Sequence, residues 1–165
     1  MILQFPSDRL KNGLSESHEV WISEISAGNR FFEGNDMEAA KRDYLRAREL
    51  AVRMIRAKAV CRSLTIPAEA IHVLTCANLG NACLEMGDED LAENYFQEAL
   101  DWAHEGAEEF ESFSPTEEQE GRTGTQRRKA LINYLDFCQR TKRVPKLEKL
   151  ENRAIEQGKK ICPQS

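Results

Sequence analysis

His72 and Cys76 stand four residues apart, and Cys83 follows seven residues later. On a helix the three share one face, and imidazole and thiol are ligands that zinc takes. A closed structural zinc site needs four ligands, and the other histidines, His18 and His104, are far away in sequence. No metal and no cofactor is therefore expected, and Cys76 and Cys83 read as small core residues. Glu108 and Glu109 could pair for acid–base work, but they sit in an acidic run that reads as a solvated helix face. The sequence contains no GxSxG, GxxxxGK[ST] or HExxH motif. "GNDMEAAK" is not a nucleotide loop, since no strand precedes it. Catalysis is not expected.

A second group of residues is suited to recognition. Leu74, Asn78, Asn81 and Glu85 follow at i, i+4, i+7 and i+11, one stripe of a helix. An asparagine amide both donates and accepts, so it can bond both polar groups of an extended peptide backbone.

The elements that carry these residues are helical by pattern. Only 9 Gly and 5 Pro occur in 165 residues, and few β-branched runs, which favours helices. With 41% apolar and 31% charged residues, the chain is long and apolar enough for one domain with its own core. Residues 1–15, with Pro6 and Gly13, read as an irregular segment. From Glu16, Val20, Trp21, Ile25, Phe31 and Phe32 fall at helical steps. Gly34 and Asn35 then turn the chain, and Asp36 caps a second helix from Met37 to about Arg62. Thr65 and Pro67 open a third, Ala68 to Met86. "GDED" separates it from a fourth, Glu89 to about Glu109. Residues 112–124 read as a mobile loop. A fifth helix is expected from Thr125 to Arg140, and Pro145 opens a sixth that ends near Lys160.

Six helices joined by turns make three hairpins, and the first two repeat. "AGNRFFEGNDMEAAKRDYLRA" (27–47) aligns with "LGNACLEMGDEDLAENYFQEA" (79–99) at an offset of 52. Gly28 falls on Gly80, Asn29 on Asn81, Ala40 on Ala92, Tyr44 on Phe96 and Ala47 on Ala99. This pattern resembles the tetratricopeptide repeat, in which small residues let facing helices approach and an aromatic fills the space between hairpins. The third unit is degenerate: an offset of 55 places Asn133 under Asn78, but Leu135 replaces the glycine and Glu151 the aromatic. The long offsets, against about 34 for the common repeat, resemble kinesin-light-chain-like units. The resemblance implies an all-α, right-handed stack of three antiparallel hairpins (about 21–64, 68–111 and 125–160) within a single domain, 16–161.

In such a stack the first helix of each hairpin lines a concave groove. The groove would present Ile22, Ile25, Asn29 and Phe32 from the first helix and Asn78, Asn81 and Glu85 from the third. The fifth would add Lys129, Asn133 and Arg140. Asparagines would fix a peptide backbone, and Ile22, Ile25 and Phe32 would hold an apolar anchor. In the subclass that grips a terminal carboxylate, the pattern is met by Asn29, Asn78 and Lys129 but broken by Ile25 and Asn133, which stand where cations belong. The expected function is thus a non-catalytic protein-interaction module: an adaptor, co-chaperone or regulator.

Charge suggests an alternative. From Gly121 onward there are 12 Lys and Arg against 4 Asp and Glu, a balance of +8 that leaves −13 on the first 120 residues. A basic end on an acidic body fits a polyanion, nucleic acid or self-association. The basic third offers only Tyr134 and Phe137 for stacking, so nucleic acid is the weaker choice. A structural homo-oligomer is the third reading. No apolar run reaches the roughly 20 residues of a membrane span, and no signal peptide is read at the N-terminus. Five cysteines, an odd number without CxxC, fit a reducing compartment. A cytoplasmic location is expected.

Overall fold

The computed structural model describes the backbone of residues 6–60, 68–111 and 117–148, and side chains at 13, 16–57, 68, 70–103 and 127–148. It is all-helical: α1 (Pro6–Glu33), α2 (Met37–Val60), α3 (Ala68–Glu85), α4 (Glu89–Glu111) and α5 (Glu117–Thr141). There is no strand among the described residues.

Three boundaries differ from expectation. The segment 1–15 is not irregular throughout, because α1 starts at Pro6. Pro6 takes the first helical position, where a missing N–H costs nothing, and Gly13 is carried inside the helix. α5 starts at Glu117, so 117–124 is helix and not loop; its Glu, Gln and Arg are strong helix formers that outweigh Gly121 and Gly124. Residues 112–116 lie outside the described residues. Pro145 does not open a helix at once, since 143–147 is irregular; the rest of the expected sixth helix, 149–160, lies outside the described residues.

The turns show the repeat at atomic level. After α1, the Asn35 amide donates to Phe32 O and the Asp36 amide to Phe31 O. After α3, the Gly87 amide donates to Leu84 O and the Asp88 amide to Cys83 O. Both are Schellman closures, with a left-handed residue at the centre: Asn35 at φ 62° and Gly87 at φ 78°. Asn35, and not its neighbour Gly34, is thus the counterpart of Gly87. The next residue is an acid that caps the following helix, Asp36 Oδ1 accepting from the Ala39 amide and Asp88 Oδ1 from the Leu91 amide. After α5 the closure recurs, with Lys142 at φ 57° and the Arg143 amide donating to Cys138 O. Here Arg143 stands where the acid should be. It offers no acceptor to a helix start, and the chain continues irregularly.

Within each hairpin a glycine lies under an aromatic ring. A Cβ on Gly80 would come within 2.8 Å of the Phe96 ring, and one on Gly28 would meet Tyr44. Gly80 therefore makes room for Phe96 itself, and not only for the approach to Ala92. Consecutive helices pack on one another throughout, and α3 also touches α5. The core has two parts. One joins α1, α2 and α3 around Trp21, Tyr44, Met54, Ile71 and Leu79. The other joins α3, α4 and α5 around Cys76, Phe96, Leu100, Tyr134 and Phe137. Each such large side chain, fully buried, contributes about 1.5–3 kcal/mol. Among the described residues no helix is long and apolar enough to cross a membrane.

Candidate interaction face

Side-chain bonds link α1 to α3 and α3 to α5. Trp21 Nε1 donates to Thr75 Oγ1 at 3.0 Å, and Asn78 Nδ2 to Asn29 Oδ1 at 3.4 Å. From α5, Arg140 Nη2 donates to Glu85 Oε1 at 3.1 Å. The expected recognition residues are thereby brought to neighbouring helices, with differing availability.

Ile22 and Leu74, equivalent by the offset of 52, are both 47% exposed. Ile25 is not a face residue: it is buried in the first core cluster beside Trp21, four residues back on the same stripe. Its counterpart Ala77 is buried too, which the repeat itself could have signalled. Phe32 is half-buried and packs against the same cluster. Asn29 is exposed, but its Oδ1 already accepts from the Tyr44 hydroxyl at 2.8 Å as well as from Asn78. Burial first, and the Glu33 carboxylate second, push the Tyr44 hydroxyl up to about 12, so it stays a donor. Asn81 and Asn133 are half-buried and make no side-chain hydrogen bond among the described residues. Lys129 is exposed, and Glu85 and Arg140 are a half-exposed pair. Of the carboxylate-gripping pattern, Asn29 and Asn78 meet, and the Asn29 Oδ1 is taken up by Tyr44 and Asn78. Sequence reasoning missed Ile132, 55% exposed on α5 next to Asn133. Its spacing of three from Lys129 was the available signal.

Two polar networks lie away from this face. In the first, Arg48 of α2 reaches Glu98 of α4, its Nε and Nη2 donating to Oε1 at 3.0 and 2.7 Å. His72 Nε2 lies 2.9 Å from the same oxygen and 3.5 Å from Cys76 Sγ. The Trp102 ring stands edge-on to His72 at 5.2 Å. Burial raises Glu98, but hydrogen bonds from His72 and Arg48 outweigh it and hold the carboxyl below its usual range. Burial, above all else, pushes the Cys76 thiol far up. Sequence reasoning placed His72 and Cys76 together and missed Glu98, which arrives from another helix.

In the second network Glu93, buried on α4, accepts from Arg143 at 2.7 Å and pairs with Lys146 at 2.9 Å. Arg143 also bonds Glu89 and Asp90, and the Tyr134 hydroxyl accepts from the Lys146 amide. This ties residues 143–146 to the first turns of α4.

Residues 19–159 match a family model described as a protein of unknown function, DUF2753. No curated protein and no solved structure matches the chain. The family match spans nearly all of the helical array described above, from the start of the first core stripe in α1 to beyond α5, and the chain accordingly belongs to the DUF2753 family.

Proposed function

We propose that this protein is a non-catalytic, tetratricopeptide-like interaction module that holds a peptide segment against the side formed by α1, α3 and α5. The helical hairpins would pile as a right-handed stack, with that side as its hollow. The repeated turn closures and the glycine–aromatic pairs support the repeat assignment. The observation that carries the binding reading is the surface itself: exposed Ile22, Leu74 and Ile132 beside amides, of which Asn81 and Asn133 have no side-chain bond among the described residues. The aliphatic groups would take an apolar anchor, and the amides would fix the backbone.

The test is affinity capture from lysate with the native chain and with an Asn78→Ala, Asn81→Ala double variant. The expected result is loss of the captured protein with unchanged helical circular dichroism. Capture at the native level by the variant rejects the reading.

A structural homo-oligomer is the second reading. Val20 and Phe31 of α1 are 48% and 38% exposed, whereas their counterparts at the offset of 52, His72 and Cys83, are buried under α2 and its neighbours. Light scattering across concentration tests it. Polyanion binding is less favoured. Arg140, Arg143 and Lys146 are engaged by carboxylates of this chain, and Tyr134 and Phe137 are buried, leaving no stacking surface there. We place the module in the cytoplasm, because an odd number of cysteines without a CxxC pair fits a reducing compartment.

A further inference from the structure

We propose that His72, Cys76 and Glu98 form a binding site for a zinc-class divalent cation between α3 and α4. It is independent of the interaction face. Two ligands at i, i+4 on one helix make an incomplete set; the fold adds a third from the facing helix. One ligand atom from each residue falls within 4.8 Å of the others. In a tetrahedral site with bonds of about 2.0–2.3 Å, neighbouring ligand atoms stand about 3.3–3.7 Å apart. The His72–Cys76 separation of 3.5 Å lies inside that range, and the His72–Glu98 separation of 2.9 Å is slightly short of it. A rotation of the Glu98 carboxylate adjusts the remainder.

The chemistry of the donors agrees. His72 is fully buried, and its Nδ1 has no hydrogen-bond partner among the described residues. A leucine would fill that place without an unsatisfied nitrogen, so the imidazole is there for what its Nε2 touches. Arg48 orients Glu98, as outer hydrogen bonds do for ligating carboxylates. The Glu98 and Arg48 side chains are 24% and 34% exposed, so an ion would enter from their side. On binding, Cys76 loses its thiol proton to solvent and forms the metal–sulfur bond. His72 offers the Nε2 lone pair. Arg48 repels the incoming cation and shares its oxygen, so the site is weaker than it would be with an uncharged residue there.

The test is titration of the full-length, reduced chain with cobalt(II), followed by its thiolate-to-cobalt charge-transfer absorption. The expected result is a band that saturates at one ion per chain, is reversed by zinc, and disappears in Cys76→Ala. In Glu98→Gln affinity should fall by about tenfold or more, and in Arg48→Met it should rise. Glu98 is partly exposed, so Glu98→Gln decides the matter if Cys76→Ala does not fold. No charge-transfer band in the native chain, or a band unaffected by Glu98→Gln, overturns the proposal.

Discussion

The Phe96 ring covers Gly80 so closely that a single methyl group there would sit 2.8 Å from it, inside any normal carbon–carbon contact. Tyr44 covers Gly28 in the same way one repeat earlier. The helix therefore keeps a residue of poor intrinsic propensity because the facing ring needs its volume. Gly80→Ala gains about 0.8–1 kcal/mol in propensity, but overpacking costs about 1–3 kcal/mol. Thermal unfolding should show a lower Tm, by about 2–4 °C for each kcal/mol of net loss. Gly13→Ala is the matched control, since nothing lies within 4 Å of its added carbon. It should raise stability by about 0.5–1 kcal/mol. If both variants are stabilised, the ring does not press on Gly80.

Acid should loosen the chain through two carboxylates. Burial raises Glu93, but hydrogen bonds from Lys146 and Arg143 outweigh this and leave it below its ordinary value; Glu98 is lowered likewise through His72 and Arg48. A carboxyl lowered in the folded state contributes stability in full above the unfolded value, about 4.3. That contribution fades as pH falls through the lower folded value. Urea midpoints should thus be flat with respect to these groups above about pH 5 and fall below about pH 4. Glu93→Gln should flatten that acid limb and lower stability at neutral pH, since Arg143 and Lys146 lose their shared acceptor. An acid limb as steep as that of the native chain would remove Glu93 from the explanation.

The thiols of Cys76, Cys83 and Cys138 are buried, and burial is the main cause that raises all three. Thiolate is the reactive form. In the native chain these three should resist iodoacetamide, and all should label rapidly in denaturant, as mapped by mass spectrometry of the peptides. Native labelling of Cys83 or Cys138 at the rate of a free thiol would contradict their packing.

Asn29 is held through its Oδ1 by the Tyr44 hydroxyl, so Tyr44→Phe should leave that oxygen to Asn78 alone and let the side chain turn, while costing about 0.5–1.5 kcal/mol of stability. If Asn29 belongs to the peptide-holding surface, capture should change in this variant with helicity intact. Unchanged capture would leave Asn29 a purely internal bond.

Local chemistry was legible in the sequence, and long-range chemistry was not. The turn at 34–36, the Asp36 cap and the offset of 52 could be read because each depends on residues a few places apart. The start of α1 at Pro6 could not be, since Pro and Gly near a terminus weigh the same in a loop as in a tolerated helix. Ile25 looked like part of a face because its period is right for either side of that stripe; only Trp21 and α2 decide which side is covered. Glu98 belongs with His72 by virtue of a helix crossing 26 residues later, and no spacing rule reaches that far. Arg143 reads as one cation in a basic tail, yet its three acidic partners are all on α4.

That last arrangement redirects mechanical force. Where the other two units place an aspartate to begin a helix, this one places a guanidinium clasped to the opening turns of α4. Tension applied beyond residue 146 is therefore passed sideways into α4, in shear across several ion pairs, before it can peel α5 away.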